Sequence, residues 1–139
     1  MQIGLGLSLL GWFVSLLGAA PEWLGLDRSP AVGYVQIAVF LVGLCIICTA
    51  GYIALAALWN GDPISIASDI GLRLIATGFI IAVASGMADV FGFGSSIAPE
   101  VPMFGFWQMI GVLIGEAVIG IGFLLLIPYH RTGNQPENR

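Results

Sequence analysis

The chain contains no lysine, four arginines and a single histidine, His130. A nucleic-acid binder needs a stripe of cations to displace condensed counterions, and a few scattered arginines cannot supply one. That class is excluded. A lone histidine outside the long apolar runs also excludes Ser–His or Cys–His nucleophilic pairs and bis-histidine haem ligation within them. Charge of either sign is scarce, at 9% of residues, against about 25% in a soluble globular domain. So few charges cannot keep a water-facing surface of this size in solution. Only two cysteines are present, Cys45 and Cys48, spaced as CxxC inside an apolar run. A zinc site wants about four ligands, and two cysteines three apart on one helix do not close a disulfide without distorting it. They read as small buried helix residues, and no metal or cofactor is expected. A phosphate-binding glycine loop, an HExxH pair and a nucleophile elbow are all missing, so no catalytic residue is assigned and no enzyme is expected.

What the chain has in abundance is apolar sequence. Hydrophobic residues make up 58% of it, and the mean hydropathy is +1.01. A helix needs roughly 20 residues to cross a hydrocarbon core of about 30 Å. Four runs meet that length: Ile3 to Ala20, Tyr34 to Leu58, Ile66 to Phe91, and Met103 to Ile127. The stretches between them carry Pro, Gly, Ser and Asn in turn-forming combinations: residues 21–33, 59–65 and 92–102. The fold class expected is an all-α membrane protein. Residues 1–129 form one four-transmembrane-helix bundle, and residues 130–139 form a polar tail. The first run lacks the basic flank of a signal peptide and reads as a retained helix.

Trp23, Tyr34, Trp59, Trp107 and Tyr129 stand at the ends of these runs, where an aromatic belt meets the two water interfaces. Four spans put both termini on one side. Arg131, Arg139 and Arg73 lie toward that side and only Arg28 toward the other, so the positive-inside rule predicts N-in/C-in. The expected location is a bacterial-type cytoplasmic membrane, crossed four times. No internal repeat is evident, which argues against an inverted-repeat transporter within one chain.

Lipid tails are as apolar as leucine, so helices in a bilayer associate through close packing of small residues. Glycine is plentiful, at 20 residues. Gly4, Ser8, Gly11, Ser15 and Gly18 recur at steps of four and three and share one stripe of the first helix. Gly78, Ala82 and Gly86 do so on the third, and Gly111 and Gly115 form a GxxxG pair on the fourth. These stripes are expected to pack within the bundle or to dock another subunit.

Glu116 is the residue most out of place. It falls near the middle of the fourth run, where a charge costs about 2.5–3.5 kcal/mol on insertion scales. Such a group faces protein or water and is either paired or carries a proton. Arg73 lies at nearly the same depth on the neighbouring antiparallel helix, offset by about 6 Å. Asp69 sits one turn before it. An Asp69–Arg73–Glu116 cluster between the third and fourth helices is therefore expected, as a clamp on helix register or as a site for protons, ions or a polar ligand. Gln36 and Gln108, at similar depth near the other side, are expected to hydrogen-bond across the bundle. Gly92-Phe93-Gly94 is similar in spelling to a potassium-channel filter. The pore helix and threonines of such a filter are missing, and glycine termination of a helix accounts for the run.

The expected function is a non-catalytic accessory or structural subunit of a larger membrane complex. The partners are the lipid bilayer and either other subunits or further copies of the chain. The alternative is a homo-oligomeric small channel or transporter built on the Asp69–Arg73–Glu116 cluster.

Overall fold

The computed structural model describes residues 2–20, 22, 25, 33–59, 63–93 and 104–128. Among these residues the chain is all-helical: α1 (Gln2–Ala19), α2 (Tyr34–Ala56, extended by a 3-10 turn over Ala57–Trp59), α3 (Ile66–Gly86) and α4 (Phe106–Leu126). All four helices are long and apolar enough to cross a membrane, the arrangement of a multi-pass membrane protein. Trp23, Tyr129, the side chain of Tyr34 and the tail from His130 lie outside the described residues.

The helices pair as two antiparallel hairpins, α1 with α2 and α3 with α4, and the hairpins meet through α2. Glycine brings the backbones together. A Cβ on Gly4 would lie 2.8 Å from the Ala54 backbone, and one on Gly11 would lie 2.9 Å from Ile47. Gly43 abuts Ser15, and Gly18 abuts Phe40. The α1 stripe thus meets α2 in one unbroken register, with Ser8 only half-buried between its neighbours. On the other hairpin, a Cβ on Gly78 would lie 2.6 Å from the Gly115 carbonyl, and one on Gly71 the same distance from that of Gly122. Gly111 receives the side chain of Ser85, and Ala82 is fully buried beside Gly115. Gly86 faces Ile37, Val112 and Leu41 at the junction of three helices.

The apolar core lies where α2 meets α3 and α4. It is built from Ile37, Leu41 and Leu44, Ile75 and Ala82, and Ile119 and Leu126. No α1 residue belongs to it. The shortest helix is held on the outside by its small-residue stripe, while its other face exposes Leu9, Trp12 and Phe13.

Two helix ends differ from expectation. The third run was expected to reach Phe91, but α3 ends at Gly86. After Met87 (φ −104°, ψ 16°) the chain makes one further turn. Phe93 N–H then donates to the Ala88 carbonyl and Gly92 N–H to that of Asp89, with Gly92 at φ +79°. That is a Schellman closure, and its left-handed position favours glycine. Gly92 therefore closes the turn that follows α3 and not α3 itself, which ends at Gly86, while Gly94 lies outside the described residues. The fourth run begins later than expected, at Phe106, because Gln108 Oε1 accepts from Gly105 N–H at 2.7 Å and fixes the first turn there. The side chain proposed to bridge to Gln36 is spent locally, since an unpaired N–H at a helix start is the nearest donor available to it.

The opposite end is tied by polar groups that hydropathy does not reveal. Ser65 caps α3 by accepting from Ser68 N–H at 3.2 Å. The Ser68 hydroxyl, 0% exposed, donates across to the Leu125 carbonyl at 3.2 Å. Trp59 Nε1 donates to the Leu126 carbonyl at 3.1 Å. Two of the last carbonyls of α4, which have no partner within their own helix, are thereby satisfied by α3 and by the end of α2. Ser68→Ala removes the partner that α3 gives the part-buried Leu125 carbonyl. It is expected to destabilise the fold by about 1–2 kcal/mol, read from reversible unfolding in mixed micelles. Unchanged stability would show that the contact is dispensable.

Candidate functional site

The structure brings together two of the three residues of the expected charged cluster. Arg73 Nη2 and Asp69 Oδ2 form an i,i+4 ion pair at 3.0 Å. Glu116 does not join it, and the proposed three-membered cluster is corrected accordingly. The depth estimate is sound, because Gly71 faces Gly122 and Gly78 faces Gly115, which sets Glu116 about one turn from Arg73 along the hairpin. Direction is what separates them. Gly71 and Ile75 face α4, and Arg73 lies two residues from each, about 200° around the helix. It therefore points away from α4, and the side chains of Arg73 and Asp69 are 78% and 56% exposed.

Glu116 occupies a different place. Gly115 turns toward α3, and the next residue turns about 100° further, toward the α1–α2 hairpin. There it lines a groove of about 420 Å³. Gly18 and Ala19 of α1 and Ile37 and Phe40 of α2 form one wall; Phe104 and Met109, Val112 and Leu113 of α4 form the other. Among the described residues every lining side chain but Glu116 is apolar. α1 packs substantially only on α2 among the described residues, and its last turn ends in Gly18 and Ala19, which fill little of the space between α1 and α4.

The remaining expectations are placed as follows. Cys45 is exposed and Cys48 half-buried, both as free thiols; the expectation that both are buried fails for Cys45, which α2 turns outward. Trp107 stands exposed at the start of α4, edge-on to Phe106 at a centroid separation of 6.0 Å. Trp59 lies at the other end of the molecule, bound as described to α4. Sequence reasoning missed Ser65, Ser68 and Trp59 as a polar tie. A serine just before an apolar run is the signal that could have found the first. It also missed the groove, for which no linear signal exists beyond Glu116 itself. Comparisons with protein-family models, with curated proteins and with solved structures find no match for this chain.

Proposed function

We propose that the chain is a multi-pass integral membrane protein with both termini on the cytoplasmic side, and that it serves as a non-catalytic subunit of a larger membrane assembly. The observation that carries this reading is the Asp69–Arg73 pair on the outer face of α3. Arg73 is the eighth residue of a 21-residue helix, so in a bilayer its backbone stands within the hydrocarbon, with the guanidinium drawn toward Asp69 in the first turn. Charged side chains at that depth face protein or a water-filled cavity rather than lipid. A pair turned away from its own bundle calls for a neighbour.

The character of the same face supports the reading. Ala76 and Thr77 are exposed one turn from the pair and are small enough to let another helix approach there, between the larger exposed Ile66 and Ile80 of the same face. The outer face of α1 is different. Leu9, Trp12 and Phe13 make a bulky apolar surface of the kind that suits lipid. The location in a bacterial-type cytoplasmic membrane and the orientation rest on composition and on the distribution of arginine alone.

The channel or transporter reading loses its original basis, since Arg73 and Glu116 do not share a site. The test of the subunit reading is purification in mild detergent from native membranes. Wild type is expected to emerge in a complex larger than one chain. Asp69→Leu combined with Arg73→Leu is expected to release it as a monomer of unchanged helicity, because the pair contributes to the contact and not to the bundle. A wild type that is monomeric in native lipid nanodiscs, or a double variant that assembles as before, refutes the proposal.

A further inference from the structure

We infer that the Glu116 groove binds a lipophilic organic cation, a compact ammonium- or phosphonium-type ion carrying apolar or aromatic groups. The inference is independent of the subunit reading, because the groove lies on the opposite side of the hairpin from Asp69 and Arg73.

Three observations carry it. The first is volume. At about 420 Å³ the groove falls within the range of about 300–1,000 Å³ that small-molecule sites occupy. The second is the lining. Phe40, Phe104, Ile37, Met109 and Leu113 surround the single carboxyl, which is the composition of a site that takes an apolar body and orients it by one polar group. The third is charge. Among the described residues no cationic side chain lines the groove. Arg73, the one arginine among the described residues, is engaged by Asp69 on the far face of α3.

A carboxylate among apolar walls is stabilised most by a cation, because the attraction between opposite charges grows as the surrounding dielectric falls. A fatty acid or other anion would place like charges together. A neutral lipid would leave the carboxyl without a counter-charge. Phe40 and Phe104 also line the groove, and a cation seated over either ring face would be favoured over an anion of equal shape.

Access follows from the architecture. Among the described residues α1 packs on α2 and has no substantial packing on α4, so the groove can be entered between them without separating a packed helix pair. Gly18 has a part in this. It lets α1 lie directly on the backbone of Phe40 and contributes no side chain to the space beside Glu116.

The probe is tetraphenylphosphonium, with tetraphenylborate as the anion of matching shape. Equilibrium dialysis of the purified chain in neutral detergent is expected to show saturable binding of the cation. In Glu116→Gln that binding is expected to weaken by about tenfold or more, while retention of the borate is the same in both proteins. Equal binding of the cation by wild type and Glu116→Gln overturns the inference. So does wild-type binding of the borate as tight as that of the cation, which would mark a merely greasy surface.

Where Glu116→Gln fails to fold, as read from helicity and monodispersity, Met109→Trp carries the test. Met109 is on the exposed rim, so the larger ring fills the groove and leaves the carboxyl in place. Cation binding is then expected to fall by about tenfold or more at unchanged helicity, and unchanged binding overturns the inference.

Discussion

Gly115→Val is expected to drive α3 and α4 apart and to destabilise the chain by about 3 kcal/mol, at the upper end of what overpacking costs. The reason is that the obstacle is backbone. A Cβ at this position would lie 2.6 Å from the Gly78 carbonyl oxygen and 2.7 Å from the Ala82 amide nitrogen. Neither can rotate aside, so the helices themselves must separate. Separation would propagate along the hairpin. Gly71 and Gly122 make the same kind of contact two turns away, and Ser68 reaches the Leu125 carbonyl only because the axes are close. In the bilayer proposed for this chain no solvent-driven force restores the interface, because acyl chains satisfy an apolar helix face as well as another helix does.

The measurement is reversible unfolding in mixed micelles, with Gly120→Val as the control. Gly120 lies on the same helix with nothing within 4 Å of its would-be Cβ, so valine there is expected to be nearly neutral. Equal losses from the two variants would mean that the cost belongs to valine in a helix and not to the α3–α4 contact.

The contrast between Gly115 and Gly120 also shows where sequence reasoning reaches its limit. The length and apolarity of the four helices were legible because each run must be long and continuous to be a span at all. The small-residue stripes were legible because steps of three and four put residues on one helix face. What a stripe cannot reveal is which helix it meets. Gly4, Gly11, Ser15 and Gly18 bind α1 to α2 alone, so the structure is a pair of hairpins joined through α2.

The charged residues show the same limit more sharply. Depth along the helix can be counted from the sequence, and the offset between Arg73 and Glu116 came out correctly. Azimuth has to be counted from a contact residue, and the contact residues Gly71 and Ile75 become known only once α4 is in place. The pair Asp69–Arg73 was readable because it lies within one helix, where spacing alone fixes the geometry. The Ser68 and Trp59 ties were not, since their acceptors are main-chain carbonyls and carry no residue-type signal.

The second large effect concerns Glu116, the eleventh residue of the 21 in α4. Glu116→Leu is expected to stabilise the chain by about 2 kcal/mol against denaturation in sodium dodecyl sulfate, while abolishing cation binding. In the bilayer proposed for this chain, a short acidic side chain at mid-helix cannot reach either water interface from the folded bundle. In the denatured micelle, water reaches the carboxyl, so the charge penalises the native state more than the denatured one. Leucine removes the penalty and adds apolar contact with Phe40 and Leu113, which line the same groove.

A residue that costs stability where it stands and is replaced with a gain is the pattern of a group kept for function. The two readouts must therefore move in opposite directions: a higher midpoint of denaturation together with lost binding. A fall in the midpoint for Glu116→Leu would have a different meaning. It would show that the carboxyl is held by a favourable partner within the native chain, which Glu116→Leu leaves unpaired. The groove would then be a structural clamp and not a vacancy for a ligand.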